Sequence, residues 1–302
     1  MLFLNLTAIN SSELCESNTQ LGNVLFQLAS QYCICKKYNI QSNYYYLYEF
    51  IKTIENFGLK NYDTTIFRNI NCNDHKKDTI DLVIKEKKWC NTYDNNLVQK
   101  IIENKNLNIL IQNSYLQSIK YFHEYENIVQ NLFNPDKTSL KQIHLKYPQL
   151  KENNTINISI HIRLHWGGIK YNCNYYKDAI EFFIEKYKNT SNKINFFVFS
   201  DNIPESKKIL NNLDYNFIYC EDNLNYIDLW IISLCSDNII CHSTFGWWGA
   251  YLNKNENKSV LYPSDVFSTF FKKIIGKTNI QEIKNNFFPK EWISIQSNSM
   301  SF

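Results

Sequence analysis

Arg163 is one of only two arginines in a chain that holds 32 Lys and Arg residues together. It stands directly after the alternating segment Asn157-Ile-Ser-Ile-His161-Ile-Arg163. A sequence so biased towards Lys, Asn and Ile would drift to Lys wherever positive charge alone sufficed, and a planar five-donor fork is what Lys cannot supply. Glycine is equally sparse. Of seven, Gly22 lies in an early loop, Gly167 and Gly168 follow Arg163, and Gly246 and Gly249 lie in a late aromatic segment. An arginine at a strand's C-terminal end, with glycine-bearing loops that let backbone approach a ligand, has the chemistry to hold a diphosphate. A surface ion pair would use the same residue type, so the surrounding loops carry the distinction.

One such loop is His242-Ser-Thr-Phe-Gly-Trp-Trp-Gly-Ala-Tyr-Leu-Asn253, where Ser243 and Thr244 precede a helix start. Either hydroxyl can cap that helix, and free backbone amides there can hold an anion; capping alone is the plainer reading. The paired tryptophans suit packing better than base stacking. Asp201 ends a strand in Phe199-Ser-Asp201-Asn202, and Asp228 opens another helix. Acids in these positions can take ribose hydroxyls or base amino groups, or can simply cap helices. No metal site is expected: His161 and His165 are four apart but run from strand into loop, where that spacing does not bring two imidazoles to one face. No Asp-x-Asp pair is present to hold a divalent ion under a diphosphate, so Arg163 and helix dipoles would have to neutralise it. Walker A, Gly-x-Ser-x-Gly and Gly-x-Gly-x-x-Gly patterns are absent too, which sets aside kinase, esterase and dehydrogenase chemistry.

The elements that must position these loops alternate in the second half. Strands are expected at 156–162, 195–200, 217–219, 238–241 and 259–262, with helices at 175–188, 206–212, 226–235 and 247–252 between them, the rhythm of a parallel sheet covered by helices. In the first half, Gly22-Asn23 reads as a turn into a helix from Val24. A strand is expected at 109–111 and a helix at 121–133, while 59–108 reads as variable loops. A polar stretch around Lys146 to Thr155 divides the chain into domains 1–150 and 151–302, with the tail packing back through Phe287, Phe288 and Trp292. At 302 residues and 44% hydrophobic content there is material for two cores. A net charge of +3 spread over scattered lysines argues against nucleic acid. The nine cysteines contain no Cys-x-x-Cys pair and read as reduced core thiols. No run approaches the ~20 apolar residues of a membrane span, so a cytoplasmic protein is expected.

Together, Leu21-Gly-Asn-Val-Leu-Phe-Gln-Leu-Ala29, Tyr115-Leu-Gln-Ser-Ile-Lys-Tyr-Phe122, Ile158-Ser-Ile-His-Ile-Arg163, Tyr175-Tyr-Lys-Asp-Ala-Ile180, Phe197-Val-Phe-Ser-Asp201 and Ser243-Thr-Phe-Gly-Trp-Trp-Gly-Ala-Tyr-Leu-Asn253 resemble the α-1,2-fucosyltransferases of glycosyltransferase family 11. The resemblance implies a GT-B-like α/β fold of two Rossmann-type domains facing across a cleft, GDP-L-fucose as donor, no cofactor, and metal-independent inverting transfer to a sugar hydroxyl. It implies that Arg163 neutralises the departing β-phosphate with Ser243, Thr244 and Phe245, and that His161 and Asp228 lie near guanine. Asp201 joins this donor set, Gly22 and Asn23 close on the donor, and Tyr115 and Gln117 face the acceptor.

One departure stands out. The family continues His-x-Arg with Arg-Gly-Asp-Tyr, whereas this chain reads His161-Ile-Arg163-Leu-His165-Trp-Gly-Gly168. A second cation and a carboxylate are missing, and His165 stands in their place as the candidate base, its imidazole having a suitable pKa. The altered loop leaves two further readings open: a transferase of another 6-deoxyhexose, or a glycan- or nucleotide-binding protein without turnover.

Overall fold

The computed structural model describes residues 1–6, 21–57, 64–72, 76–87, 91–164, 169–171, 173–265, 280–297 and 299–301. Two compact units divide the chain: Met1–Phe133 with Gln281–Pro289, and Asn134–Ile280 with Lys290–Phe302.

The first unit is built on four short parallel strands, β1 (Leu2–Leu4), β2 (Ser42–Asn43), β3 (Leu82–Ile84) and β4 (Ile109–Ile111), in the order β2-β1-β4-β3. Helix α1 (Leu21–Tyr38) lies against them, and its buried polar residues serve as clamps. Gln31 donates to the carbonyls of Leu2 (2.9 Å) and Asn43 (3.0 Å), tying β1 to β2. Helix α2 (Tyr45–Phe57) follows, then α3 (Asn95–Glu103) and α4 (Glu126–Leu132). β3 and α3 fall where the sequence suggests only loops. A three-residue strand shows no periodicity, and α3 buries just Leu97, Val98 and Ile101 behind the Asp94 cap, which accepts from Leu97 N–H at 3.0 Å. The helix expected at 121–133 begins as two 3-10 turns, Ile119–Tyr121 and His123–Tyr125, before α4.

The second unit opens with α5 (Lys137–Lys146) and continues β5 (Thr155–Ile162), β6 (Ile169–Tyr171), α6 (Cys173–Lys186), β7 (Lys193–Ser200), α7 (Ile203–Leu210), β8 (Phe217–Tyr219), α8 (Asn225–Leu234), β9 (Asp237–Ile239), α9 (Thr244–Leu252), β10 (Val260–Pro263), then, after α10 (Ile280–Phe287), β11 (Ile293–Ile295) and β12 (Ser299–Ser301). β12 pairs antiparallel with β6. The other six strands form one parallel sheet ordered β8-β7-β5-β9-β10-β11. Counted in order of appearance this is 3-2-1-4-5-6, the doubly wound Rossmann order, whose direction reverses between β5 and β9. The observed division falls after Phe133, ahead of the boundary read at 150. The reason is local: Gln149, past α5, accepts at its carbonyl from Thr155 Oγ1 (2.9 Å) and Asn157 Nδ2 (2.8 Å), binding this stretch to β5. The tail is shared: Phe287 stacks on Phe26 of the first unit at 5.6 Å, whereas Trp292 meets Trp247 of the second at 5.4 Å.

β5 explains the arrangement of the core. It alternates Ile156, Ile158, Ile160, Ile162 with Asn157, Ser159, His161, and both sets are buried, as expected of a strand covered on both faces. Each buried polar group therefore needs a partner. Asn157 Oδ1 accepts from Asn195 Nδ2 (2.8 Å), Ser159 Oγ accepts from Asn238 Nδ2 (2.7 Å), and His161 Nδ1 meets Cys241 Sγ (3.3 Å). Among the described residues seven cysteines are free, all buried except Cys173. Among the same residues no helix is long and apolar enough to cross a membrane.

Candidate functional site

Alternation along β5 carries through to Arg163, which therefore emerges at the strand's C-terminal end on the face that bears His161. Its partner is set by register. Ile162 pairs with Ser200 across β5 and β7, so the next residues, Arg163 and Asp201, stand side by side. Arg163 Nε lies 3.3 Å from Asp201 Oδ2, with the arginine side chain 27% exposed and the aspartate 5%. The other carboxylate oxygen accepts from Leu164 N–H at 2.9 Å. Asp201 thus anchors both the guanidinium and the backbone that follows it. It does not cap α7; Asn202 does so, accepting from Glu205 N–H at 3.1 Å.

On the far side of the switch point, the segment that follows β9 passes through Cys241 and His242 to Ser243, the N-cap of α9, whose Oγ accepts from Phe245 N–H at 3.3 Å. The capping reading of Ser243 holds. Phe245 and Gly246 press onto His161: the two rings are 5.5 Å apart, and a Cβ on Gly246 would come within 2.6 Å of the imidazole Nδ1. Burial above all, and then the Arg163 charge, pushes His161 down to about 3, so the ring is neutral at physiological pH. The Cys241 thiol is pushed up to about 12, chiefly by burial. Arg163 and the positive end of the α9 dipole are thus left on this face of the switch point, where open α/β sheets bind ligands.

Asp228 lies in the first turn of α8, near the loop that follows β8. That loop is held by Lys146, whose ammonium donates to the carbonyls of Glu221 (2.7 Å) and Asp222 (3.2 Å) and to Asn223 Oδ1 (2.7 Å). Asn223 Nδ2 in turn donates to Tyr147 Oη and Asp228 Oδ1, both at 2.8 Å. Asp228 makes no cap, and desolvation raises its carboxyl from 3.8 to about 7.

In the first unit, Gly22 and Asn23 lie inside the first turn of α1, which starts at Leu21, and not in a turn ahead of it. Gln117 is buried, and both ends of its amide are engaged: Nε2 donates to Asn23 Oδ1 (2.7 Å) and Oε1 accepts from Asn91 Nδ2 (2.8 Å). Tyr115 is half-buried in the same loop. Gly22, Asn23, Tyr115 and Gln117 belong to the first unit, and His161, Arg163, Asp201, Asp228, Ser243, Thr244 and Phe245 to the second. His165, Gly167 and Gly168 lie outside the described residues. Among the described residues no cluster of three or more His, Cys, Asp or Glu could hold a metal ion.

The second unit thereby defines a Rossmann-type α/β domain with a cation and a helix N-terminus at the switch point. The chain belongs to glycosyl transferase family 11, which it matches over residues 18–296. It is 29% identical over 203 residues to the alpha-1,2-colitosyltransferase of Escherichia coli, covering 60% of this chain and 61% of that protein. With a galactoside 2-alpha-L-fucosyltransferase of Caenorhabditis elegans the identity is 23% over 242 residues, 69% of this chain and 57% of that one. The chain thus spans about three fifths of the length of these relatives. A looser likeness, with a TM-score of 0.48 at 11% identity, covers 82% of this chain and 90% of the fucosyltransferase NodZ from Bradyrhizobium; at that level it bears on neither fold nor function.

Proposed function

We propose that the protein is an inverting, metal-independent glycosyltransferase of GT-B type that moves L-fucose from GDP-L-fucose to a sugar hydroxyl, O2 of a galactoside. The observation that carries the reading is Arg163 at the β5 terminus, gripped through Nε by Asp201. With Nε committed to Asp201, the terminal nitrogens of the fork are the ones offered to a diphosphate. The acceptor oxygen attacks the anomeric carbon from the face opposite GDP, the bond from that carbon to the β-phosphate oxygen breaks, and GDP leaves with the electron pair. Arg163, the Ser243 and Thr244 hydroxyls and the positive end of α9 stabilise the charge that develops, with Phe245, whose N–H is held by the Ser243 cap, shaping the helix start beside them.

Asp228 is assigned to guanine, whose N1–H and exocyclic amine are donors that a carboxylate accepts. His161, 5% exposed beneath Gly246, is assigned to holding α9 against β5 in place of a direct guanine contact. The first unit, through Gly22, Asn23 and Tyr115, is assigned to the sugar and the acceptor, with the buried Gln117 acting through Asn23. His165 is carried from the sequence as the base that takes the acceptor's proton. Incubation of the purified protein with GDP-fucose and lactose should yield free GDP and a product heavier by one deoxyhexose; neither appearing would end this reading. The E. coli colitosyltransferase relative favours a second reading, the same chemistry with a different deoxy sugar. A parallel assay with GDP-colitose separates the two by kcat/KM.

A further inference from the structure

Glu86 lies two residues beyond β3, in a segment that composition marks only as a Lys-rich loop. Its carboxylate has an unusual task. Oε2 accepts from two consecutive backbone amides, Tyr115 N–H at 2.9 Å and Leu116 N–H at 3.0 Å, while Oε1 accepts from the Tyr121 hydroxyl at 3.4 Å. The tie is reciprocal, because Glu86 N–H donates to Ser114 Oγ at 2.8 Å. The loops that follow β3 and β4 are thereby stapled together at the C-terminal edge of the first unit's sheet.

The loop so held is one that would not keep this shape unaided. Leu116 is fully buried with φ of 53°, a left-handed conformation in which a leucine side chain is rarely found, and Asn113 just ahead of it has φ of 50°. Backbone in such a conformation persists only when its surroundings over-determine it. Here Gln27 Nε2 donates to Ser114 O at 2.7 Å, Ser30 Oγ to Leu116 O at 3.3 Å, and Glu86 supplies the acceptors for the two N–H groups between those carbonyls. The same loop carries Gln117, whose amide fixes the Asn23 side chain on α1.

We propose that Glu86 is a positioning residue for sugar transfer: it imposes the conformation of the Tyr115–Gln117 loop, and through Gln117 the placement of Asn23, so that the first unit meets its substrate preformed. The proposal rests on the transferase reading above. Glu86 itself touches neither substrate nor reacting atom in this scheme. The groups that face it are the Tyr115 and Leu116 amides and the Tyr121 hydroxyl, which also accepts from Asp94 N–H at 2.9 Å; Asp94 is the neighbouring negative charge. A glutamine fits the same pocket, its carbonyl oxygen accepting the two amides and its NH2 donating to the Tyr121 oxygen, so hydrogen bonding rather than charge is what the loop requires.

The test uses the full chain with Glu86→Ala and Glu86→Gln. Transfer from GDP-fucose to lactose is followed over a range of lactose concentrations, and GDP affinity is measured separately by calorimetry. Glu86→Ala is expected to lower kcat/KM for lactose at least tenfold, with GDP affinity within about threefold of wild type, and Glu86→Gln to restore most of the loss. Should the Ala variant fail to fold, Glu86→Asp, one methylene too short to reach both amides, takes its place. The proposal is overturned if kcat/KM stays within twofold in Glu86→Ala, if Gln rescues nothing, or if GDP affinity falls in parallel. Amide hydrogen exchange at Tyr115 and Leu116 needs no substrate. A wild-type protein inert towards every donor sinks the transferase reading, and exchange then decides for Glu86: tenfold acceleration in Ala reversed by Gln sustains the loop-imposing role, and unchanged exchange refutes it.

Discussion

Replacing Arg163 by Lys isolates the feature on which the functional reading turns. Arg163 meets Asp201 through Nε at 3.3 Å, and Asp201 is only 5% exposed. A guanidinium can satisfy that carboxylate with one nitrogen and still present two others along a fixed plane, whereas a lysine ammonium is a single point charge. Beside a buried carboxylate the ammonium would be drawn to Asp201 and away from the phosphate. The variant retains the net charge and the Leu164-to-Asp201 hydrogen bond, so its fold should be intact, with a melting temperature within about 2 °C of wild type on the scale of surface substitutions. Lost or misplaced stabilisation of a developing anion costs roughly 10²- to 10³-fold in rate, or about 2.7 to 4 kcal/mol. The decisive assay is kcat/KM from GDP release at several donor concentrations, with calorimetry confirming the fold. Asp201→Asn should show a smaller loss, about tenfold, because Oδ1 still anchors Leu164 while the guanidinium loses its counter-charge. An Arg163→Lys enzyme within threefold of wild type would refute the assigned role, since no account based on the fork survives its removal without effect.

Gly246→Ala places a methyl 2.6 Å from His161 Nδ1, against a ring too buried to swing aside, so α9 must shift at a cost of ~1–3 kcal/mol, and GDP affinity should fall with stability. Gly249→Ala meets Ile232 Cγ2 at 2.4 Å and should cost stability alone, a contrast that paired melting and GDP titrations would reveal. Asp228 and Glu86 are both raised by burial to about 7, so the folded chain holds more protons than the unfolded one between roughly pH 4 and 7; stability should fall as pH rises through that window, and Asp228→Asn should flatten part of the fall in melts from pH 4 to 8. Activity should survive EDTA, and loss with chelator reversed by Mn²⁺ would overturn the metal-independent mechanism. If His165 is the base, the rate should rise with pH through ~6.5 and His165→Ala should lose roughly 10²- to 10⁴-fold; a variant with unchanged profile and magnitude removes it from the mechanism.

The second unit was legible because β5, β7 and α6 are long enough for their periodicity to appear and set the alternating rhythm in which even the short β8 coincides with the strand expected at 217–219. In the first unit the helix from Val24 and the strand at 109–111 were legible as α1 and β4, but β2, of two polar residues, and β3, set among charged residues, were not. Among candidate site residues, Arg163 was visible as a rare residue type at a strand end, and the Ser243 cap as a hydroxyl just ahead of a helix start. The job of Asp201 was not, since nothing local separates an aspartate that caps a helix from one that grips an arginine 38 residues earlier. The β5–β7 register resolves it by pairing Ile162 with Ser200. The same register pairs Asn157 with Asn195, which is how a strand that alternates apolar and polar residues can be buried on both faces.

The glycines have a meaning that the sequence alone obscured. Scarce glycine suggests backbone yielding to a ligand, yet at Gly246 and Gly249 the space is taken by His161 and Ile232 of the protein itself. These are packing constraints with a functional consequence. His161 sits two residues before Arg163 on the same face of β5 and directly beneath the first turn of α9, so one imidazole sets the spacing between the arginine and the helix N-terminus. It can do so only while neutral, because a charged ring there would add a buried cation beside Arg163, and burial together with that guanidinium keeps the proton off. If the site takes a diphosphate, as proposed, the spacing of its two cationic ends is thus gauged by an uncharged wedge, with positive charge reserved for the groups on either side.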